Sequence, residues 1–243
     1  MGTIWNKLIM AICLVIEIIA NHLRVPTICF AHNITAFFVF GDSLVEVGNN
    51  NYINTLAKPV FPNGIDFPKG TPSGRFTNSR TIADIIGKFS ILSTLKLKLN
   101  TRKLIPLPLG YSNIKVLSNT EEELGFKDYA PPFLAPNTNG DLILKGVNYA
   151  SSGSGILQSS GLIFGGRICM DKQVDYFAKT RQDIISRIGA PAAQALLRNS
   201  LYFVMIGSND IIFGEYSLAF DFNHYVDGVV SKFKSQLTVN SSH

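Results

Sequence analysis

Three short apolar segments, each followed at once by small and polar residues, constrain the fold of this chain most strongly. They cover residues 36–40, 146–150 and 201–206. Short apolar runs bounded by turn residues are typical of buried strands. Amphipathic helical patterns lie between the second and third segments and after the third, at Gln173–Ile188, Ala192–Leu197 and Tyr225–Leu237. Strands that alternate with helices predict an α/β sandwich with a mostly parallel sheet.

Proline, glycine and one threonine mark where further elements begin and end. Residues 59–74 and 125–140 are rich in proline and glycine and are predicted to be loops. Thr81 precedes an apolar stretch at residues 82–86 and is predicted to cap a helix there.

The size and charge of the chain restrict the classes of function. Its 243 residues, 46% of them hydrophobic, suffice for one domain with a substantial core. The formal net charge is +5, but residues 88–120 contain six Lys or Arg residues and no acidic residue. Because the excess charge lies in one segment, the sequence does not predict a basic groove for nucleic acid.

The first 31 residues have the pattern of a secretory signal peptide. Lys7 precedes the apolar run Leu8–Ile16, and Ala31 is a small residue at a suitable cleavage point. A membrane anchor is the alternative, but Glu17 and Arg24 interrupt the apolar stretch well short of a bilayer span. We therefore predict a secreted, extracellular protein that has no stable membrane insertion after cleavage.

Cleavage would leave Cys169 as the single cysteine, so no internal disulfide is expected. Asn33 begins an Asn-Ile-Thr sequon, which predicts a glycoprotein.

The polar ends of the three strands carry the candidate chemistry. In open α/β sheets the ligand binds beyond the carboxyl ends of the strands. Ser43 follows Gly41 and could act as a nucleophile, Gly153 could offer its backbone N–H, and Asn209 could donate from its side-chain amide. A serine with two converging donors is the outline of acyl transfer. Taken singly, each residue has an ordinary structural interpretation. Ser43 could lie in a plain turn, Gly153 in a common serine-rich loop, and Asn209 could cap a helix.

These residues lie in three blocks that occur in a characteristic order. Together the blocks resemble the plant-type GDSL esterase/lipase family, a group of SGNH hydrolases. The resemblance covers most of residues 36–87 and 123–238. The first block contains Phe38–Leu44, Gly48–Asn50 and Gly74–Asn78, the second is Gly146–Leu157 and the third is Ile206–Asp210.

The resemblance implies a three-layer, flavodoxin-like α/β/α hydrolase fold. In that family Ser43 would be the nucleophile, and Gly153 and Asn209 would form the oxyanion hole with the backbone N–H of Ser43. Ser152 stands where the family usually has glycine. No metal or organic cofactor is implied, and the expected substrate is a small-molecule or polymeric ester.

The acid and base of the catalytic triad are not evident in this chain. Asp221 and His224 fit the Asp-x-x-His form of the family's last block, but His224 follows Asn209 by only 15 residues. At that point the family has a loop leading into a helix. We therefore predict that this pair is a decoy, that the triad Asp and His are absent, and that the fold is incomplete at a truncated C-terminus.

Two segments, residues 88–120 and 239–243, do not resemble the family. Both departures begin at codons compatible with a splice donor, which suggests translated introns; a lineage-specific loop and a natural short C-terminus are the alternatives. Residues 32–243 would then form a partial hydrolase domain. The sequence leaves two hypotheses: a secreted serine ester hydrolase that is inactive in this form, and a non-catalytic secreted binding or regulatory product.

Overall fold

The computed structural model describes residues 34–67, 70, 73–86, 130–214 and 222–238. The chain divides into two units, Met1–His32 and Asn33–His243, and all the described residues belong to the second. The predicted signal peptide, the sequon at Asn33, the segment 88–120 and Asp221 lie outside the described residues.

A parallel sheet forms the centre of the fold. Strand β1 (Phe37–Gly41) pairs with β2 (Leu201–Met205), in a register that runs from Phe37 beside Leu201 to Gly41 beside Met205. All five residues of β1 are buried. The predicted parallel pairing of apolar strands is confirmed, but only β1 is buried as predicted. No residue of β2 is buried, and β2 ends one residue early.

The predicted strand at residues 146–150 is an extended segment that forms isolated bridges rather than a regular strand. Asn148 bridges Val39 in parallel on one side and Pro132 on the other. The segment still hydrogen-bonds β1, because the N–H of Val39 donates to Val147 and the N–H of Tyr149 donates to Val39. The outer neighbour contains Pro131 and Pro132, and proline has no N–H to extend a ladder. The prediction of a regular strand was therefore wrong, although the segment lies beside β1 and hydrogen-bonds to it.

Four helices follow within the described residues. Three correspond to the predicted amphipathic patterns, and the short helix at Ser208–Phe213 was not predicted. The prediction of Gln173–Ile188 began three residues late, because the first turn of α1 has little amphipathic pattern. No helix in the described part of the chain is both long and apolar enough to cross a membrane. The helices are α1 (Met170–Ile188), α2 (Ala190–Arg198), α3 (Ser208–Phe213) and α4 (Phe222–Thr238), and three short 3-10 helices lie at Asn49–Tyr52, Gly140–Lys145 and Leu162–Phe164.

The side chains of β1 alternate between two apolar clusters. Phe38 packs on one face against Phe177 of α1, with ring centroids 5.4 Å apart. Val39 packs on the other face with Ala83, in the helical segment at residues 82–86. Because alternate residues of a strand point to opposite faces, β1 is covered by helices on both sides. This is the α/β architecture expected from the sequence.

The segment 82–86 is held by a buried ion pair and a helix cap. The hydroxyl of Thr81 accepts from the N–H of Asp84, and the Asp84 carboxylate accepts from the N–H of Thr81. Arg75 donates to both oxygens of the same carboxylate, at 2.7 and 3.0 Å. The predicted cap at Thr81 is confirmed, and it connects the Gly74–Asn78 block to the core.

Strand β2 is less enclosed than β1. Its residues are half-buried except Tyr202, which is 41% exposed. Among the described residues β2 pairs only with β1. The sheet therefore has β1 in its interior and β2 at one edge of its described part.

Candidate active site

Ser43 lies in a tight turn at the carboxyl end of β1. The carbonyl oxygen of Asp42 accepts from the N–H groups of Val45 and Glu46, at 3.2 and 3.1 Å, which reverses the chain. A Cβ atom at Gly41 would collide with the backbone oxygen of Met205 in β2. Glycine therefore allows β1 to end in close contact with β2, and Ser43 remains partly exposed above the sheet.

The carboxylate of Asp42 joins this turn to the end of the third segment. It accepts from the N–H of Leu44 at 3.1 Å and from the hydroxyl of Ser208 at 2.6 Å. Burial raises the pKa of Asp42, and these two hydrogen bonds oppose the shift. Asp42 thus holds together the turn that contains Ser43 and the start of α3.

The loop after the second segment packs directly on the end of β1. The carbonyl oxygen of Gly41 accepts from the N–H of Ser151 at 3.1 Å and from the hydroxyl of Ser154 at 3.0 Å. Gly153 between them has φ +77°, and an added Cβ would lie 2.9 Å from the ring of Phe164. The backbone and the space both require glycine here.

Asn209 lies in the first turn of α3, directly after β2. Its side chain is buried, and its Nδ2 donates to the carbonyl oxygen of Ser154 at 2.8 Å. The N-cap residue of α3 is Gly207, so Asn209 is not the helix cap that was the alternative interpretation. One of the two Nδ2 hydrogens holds the amide in place, and the other remains to donate.

Three N–H donors therefore remain available at the carboxyl ends of the strands. Among the described residues, no acceptor pairs with the N–H of Ser43, the N–H of Gly153 or the second Nδ2 hydrogen of Asn209. The Ser43 hydroxyl likewise has no hydrogen-bond partner in this part of the chain. The structure brings together the three loops that carry the predicted site residues.

His224 does not join this group. It is exposed in the first turn of α4 and makes no hydrogen bond to Ser43. Asp221 lies outside the described residues. Within the described ranges no histidine contacts the Ser43 hydroxyl, so the structure assigns no base to it.

Gln173 is a site residue that the sequence analysis placed only in an amphipathic helix. It is fully buried at the start of α1, where its Oε1 accepts from the N–H of Gly41 and its Nε2 donates to the carbonyl oxygen of Gly41, both at 2.8 Å. A sequence signal was present, because Gln173 lies on the same helix face as Phe177 and Ile184. A polar residue on an apolar face needs a buried partner.

Glu46 and Asn50 form a second buried group that the sequence analysis missed. The Glu46 carboxylate accepts from the N–H groups of Asn50 and Ser152, at 2.7 and 2.6 Å. Burial raises the pKa of Glu46 to about 8, although these two hydrogen bonds oppose the shift. No local pattern reveals this role, because the partner loop lies about a hundred residues away.

A third buried carboxylate, Asp210, shapes the loop after Gly155. It accepts from the N–H groups of Ile156 and Leu157, both at 2.9 Å, and from the hydroxyl of Ser160 at 2.7 Å. Among the described residues, no three His, Cys, Asp or Glu side chains are grouped to hold a metal ion.

Comparisons with known proteins identify the family of the chain. The family profile described as GDSL-like Lipase/Acylhydrolase matches residues 37–239. GDSL esterase/lipase At4g16230 of Arabidopsis thaliana is 43% identical over 231 residues, which cover 91% of this chain and 53% of that protein. GDSL esterase/lipase At3g50400 of the same species is 44% identical over 183 residues, which cover 74% of this chain and 40% of that protein.

The chain spans between 38% and 53% of the length of the first three curated relatives. No solved structure matches it. The profile match covers most of the chain and includes Ser43, Gly153 and Asn209. The chain therefore belongs to the GDSL-like lipase/acylhydrolase family.

Proposed function

We propose that this protein is a serine ester hydrolase in which Ser43 forms an acyl-enzyme with carboxylic or lipid esters, and that this chain turns them over slowly because no described residue serves as the triad base. The observation that carries the proposal is the set of three available N–H donors at the strand ends, from Ser43, Gly153 and Asn209. Donors aimed at a developing oxyanion are usually the largest contribution to catalysis of acyl transfer. The names of the Arabidopsis relatives, which are GDSL esterase/lipases, support the same reaction class.

The reaction divides into two balanced steps. The Ser43 oxygen attacks the ester carbonyl carbon and loses its proton to water, because no described residue serves as its base. The three donors stabilise the negative charge on the carbonyl oxygen. The carbon–oxygen bond to the alcohol then breaks, and the alcohol leaves with a proton. Water attacks the acyl-serine in the same way, which releases the acid and restores Ser43.

We do not assign His224 as the base in this scheme. That side chain is exposed on α4 and makes no hydrogen bond to Ser43. This observation also favours a second candidate function, in which the chain binds an ester or a partner at the same strand ends without turning it over.

Hydrolysis of p-nitrophenyl acetate by the full chain tests both candidates. We expect Ser43→Ala to abolish release of nitrophenol above the background rate. We expect Asn209→Ala to lower kcat by about 10²- to 10³-fold, as for loss of one oxyanion donor. His224→Ala is the matched control and should leave the rate unchanged.

Equal rates for wild type and Ser43→Ala would overturn the acyl-enzyme proposal. Ester binding without nitrophenol release, detected by equilibrium dialysis of the wild type, would support the binding candidate instead. Loss of activity in His224→Ala would show that Asp221 and His224 are not a decoy.

We also propose that the protein is secreted, on the basis of the signal-peptide pattern in residues 1–31. N-terminal sequencing of protein recovered from the medium of a plant expression host tests this. A mature N-terminus at His32 is expected, and retention of the protein inside the cells would contradict it.

A further inference from the structure

The direction of the Gly153 N–H depends on the residue before it. This N–H belongs to the peptide unit between Ser152 and Gly153, which is planar and trans, so its hydrogen points away from the Ser152 carbonyl oxygen. Whatever holds that carbonyl oxygen therefore sets the direction in which Gly153 donates.

Asn50 holds it. Its Nδ2 donates to the Ser152 carbonyl oxygen at 3.0 Å and to the carbonyl oxygen of Ala57 at 2.7 Å. Its Oδ1 accepts from the hydroxyl of Ser151 at 2.6 Å, which fixes the orientation of the amide. Asn50 is fully buried, so water does not compete for these bonds.

Glu46 completes the clamp from the other side of Ser152. One carboxylate oxygen accepts from the N–H of Ser152 at 2.6 Å, and the other accepts from the N–H of Asn50 at 2.7 Å. Glu46 therefore fixes both the loop residue and the residue that grips it. Both backbone polar groups of Ser152 are occupied, while the N–H of Gly153 has no acceptor among the described residues.

We propose that Glu46 and Asn50 are positioning residues, which orient the Gly153 N–H toward the carbonyl oxygen of an ester bound at Ser43. The inference rests on the proposed function, because it assigns Gly153 to the oxyanion hole. Neither side chain touches the substrate; they act through the peptide unit between Ser152 and Gly153.

Asn49 supplies a matched control. It is the neighbour of Asn50, is equally buried, and donates from Nδ2 to two carbonyl oxygens, those of Asn148 and Ala150, both at 2.9 Å. Its Oδ1 accepts from the N–H of Leu134 at 3.0 Å. Truncation of Asn49 thus removes the same atoms from the same region without releasing Ser152.

The first measurement follows the hydrolysis of p-nitrophenyl acetate by the full chain. We expect Asn50→Ala to lower kcat by about 10- to 100-fold while KM changes by less than about 2-fold, because the lost stabilisation exists only in the transition state. Asn49→Ala should keep kcat, although denaturant unfolding should show a comparable loss of stability. Equal kcat losses in the two variants would overturn the proposal.

The second measurement does not depend on activity. The ¹⁵N–¹H residual dipolar coupling of Gly153, measured in the isotope-labelled full chain, reports the direction of its N–H bond. It should change in Asn50→Ala and in Glu46→Gln, whose amide group would face an N–H donor, and it should stay constant in Asn49→Ala. Ser151→Ala frees the Asn50 amide and also removes the acceptor of the Ile168 N–H. It replaces Asn50→Ala if that variant does not fold.

The two measurements separate the failure of this inference from the failure of the proposed function. An unchanged Gly153 coupling in Asn50→Ala and Ser151→Ala overturns the inference, whatever the kinetics show. A changed coupling together with equal hydrolysis rates for wild type and Ser43→Ala overturns the proposed function while the orienting role of Asn50 stands.

Discussion

Among single residues, Glu46 shows most directly how burial and hydrogen bonding compete at this site. Its side chain is fully buried, and both of its oxygens accept backbone N–H groups. Those bonds favour the charged form, but the loss of water favours the neutral form more strongly and raises the pKa to about 8. The clamp on Ser152 is therefore linked to pH.

The raised pKa of Glu46 predicts how stability depends on pH. Between the ordinary glutamate pKa of 4.5 and about 8 the folded protein binds more protons at this residue than the unfolded chain does, so stability falls as pH rises through this range. The slope approaches about 1.4 kcal/mol per pH unit. Urea unfolding of wild type and Glu46→Gln at several pH values checks this, because the variant cannot titrate there. A constant difference between the two proteins from pH 5 to pH 8 would contradict it.

A second prediction at the residue scale compares the effects on stability of alanine substitutions at Gly153 and Gly228. Gly153→Ala should destabilise the fold by about 1–3 kcal/mol, because φ is +77° and the new Cβ would press on Phe164. Gly228 in α4 has nothing within 4 Å of an added Cβ, so Gly228→Ala should stabilise by about 0.5–1 kcal/mol. Thermal unfolding measures both, and shifts of the same sign would contradict the assignment of strain to Gly153.

At the scale of elements, α1 and β1 are joined by a side chain that pairs like a neighbouring strand. The amide of Gln173 both donates to and accepts from the backbone of Gly41. It also donates to the carbonyl oxygen of Ile168, which fixes the chain just before α1. The helix is thereby docked at the turn that leads into Ser43.

Loss of this link has a measurable cost. Gln173→Leu leaves the buried N–H of Gly41 without its acceptor, and we expect a loss of about 1–3 kcal/mol in the free energy of unfolding. Gln182→Leu, at an exposed position of the same helix, is the control and should change stability by less than about 0.5 kcal/mol. Chemical denaturation of both variants provides the comparison, and equal effects would show that the amide pair does not stabilise the fold.

The sequence predicted the elements that depend on local periodicity. The apolar runs of β1 and β2 and the amphipathic patterns of α1 and α4 were found within a few residues. The segment around Asn148 was mistaken for a regular strand, because its ladder is limited by the prolines of its outer neighbour. That limit arises between segments distant in the chain, which no local pattern records.

The sequence revealed only those site residues that follow an apolar segment. Ser43, Gly153 and Asn209 were selected because polar residues follow buried runs, and the structure brings their loops together. Glu46, Asn50 and Gln173 were missed as a supporting group because their partners are backbone groups of other segments. Only tertiary hydrogen bonds explain why polar residues occupy these three buried positions.

At the scale of the whole molecule, the segment 88–120 stands apart from the family pattern. It is strongly basic, contains no acidic residue and lies outside the described residues. We predict that the mature transcript lacks codons 88–120. Full-length sequencing of polysome-associated message across codons 86–126 measures this, with codons 146–210 as an internal control that must be retained. Persistence of the segment in most messages would contradict the intron hypothesis.

The hydrogen bond between Asp42 and Ser208 joins residues 166 positions apart, and it has a consequence for the order of events on the ribosome. At a synthesis rate of about 5–20 residues per second, Ser208 is made roughly 8 to 30 seconds after Asp42. Throughout that interval the turn that contains Ser43 lacks at least one of its two partner loops. If Ser43 is the nucleophile that we propose, its complete set of donors exists only after the last of the three loops has been synthesised and docked.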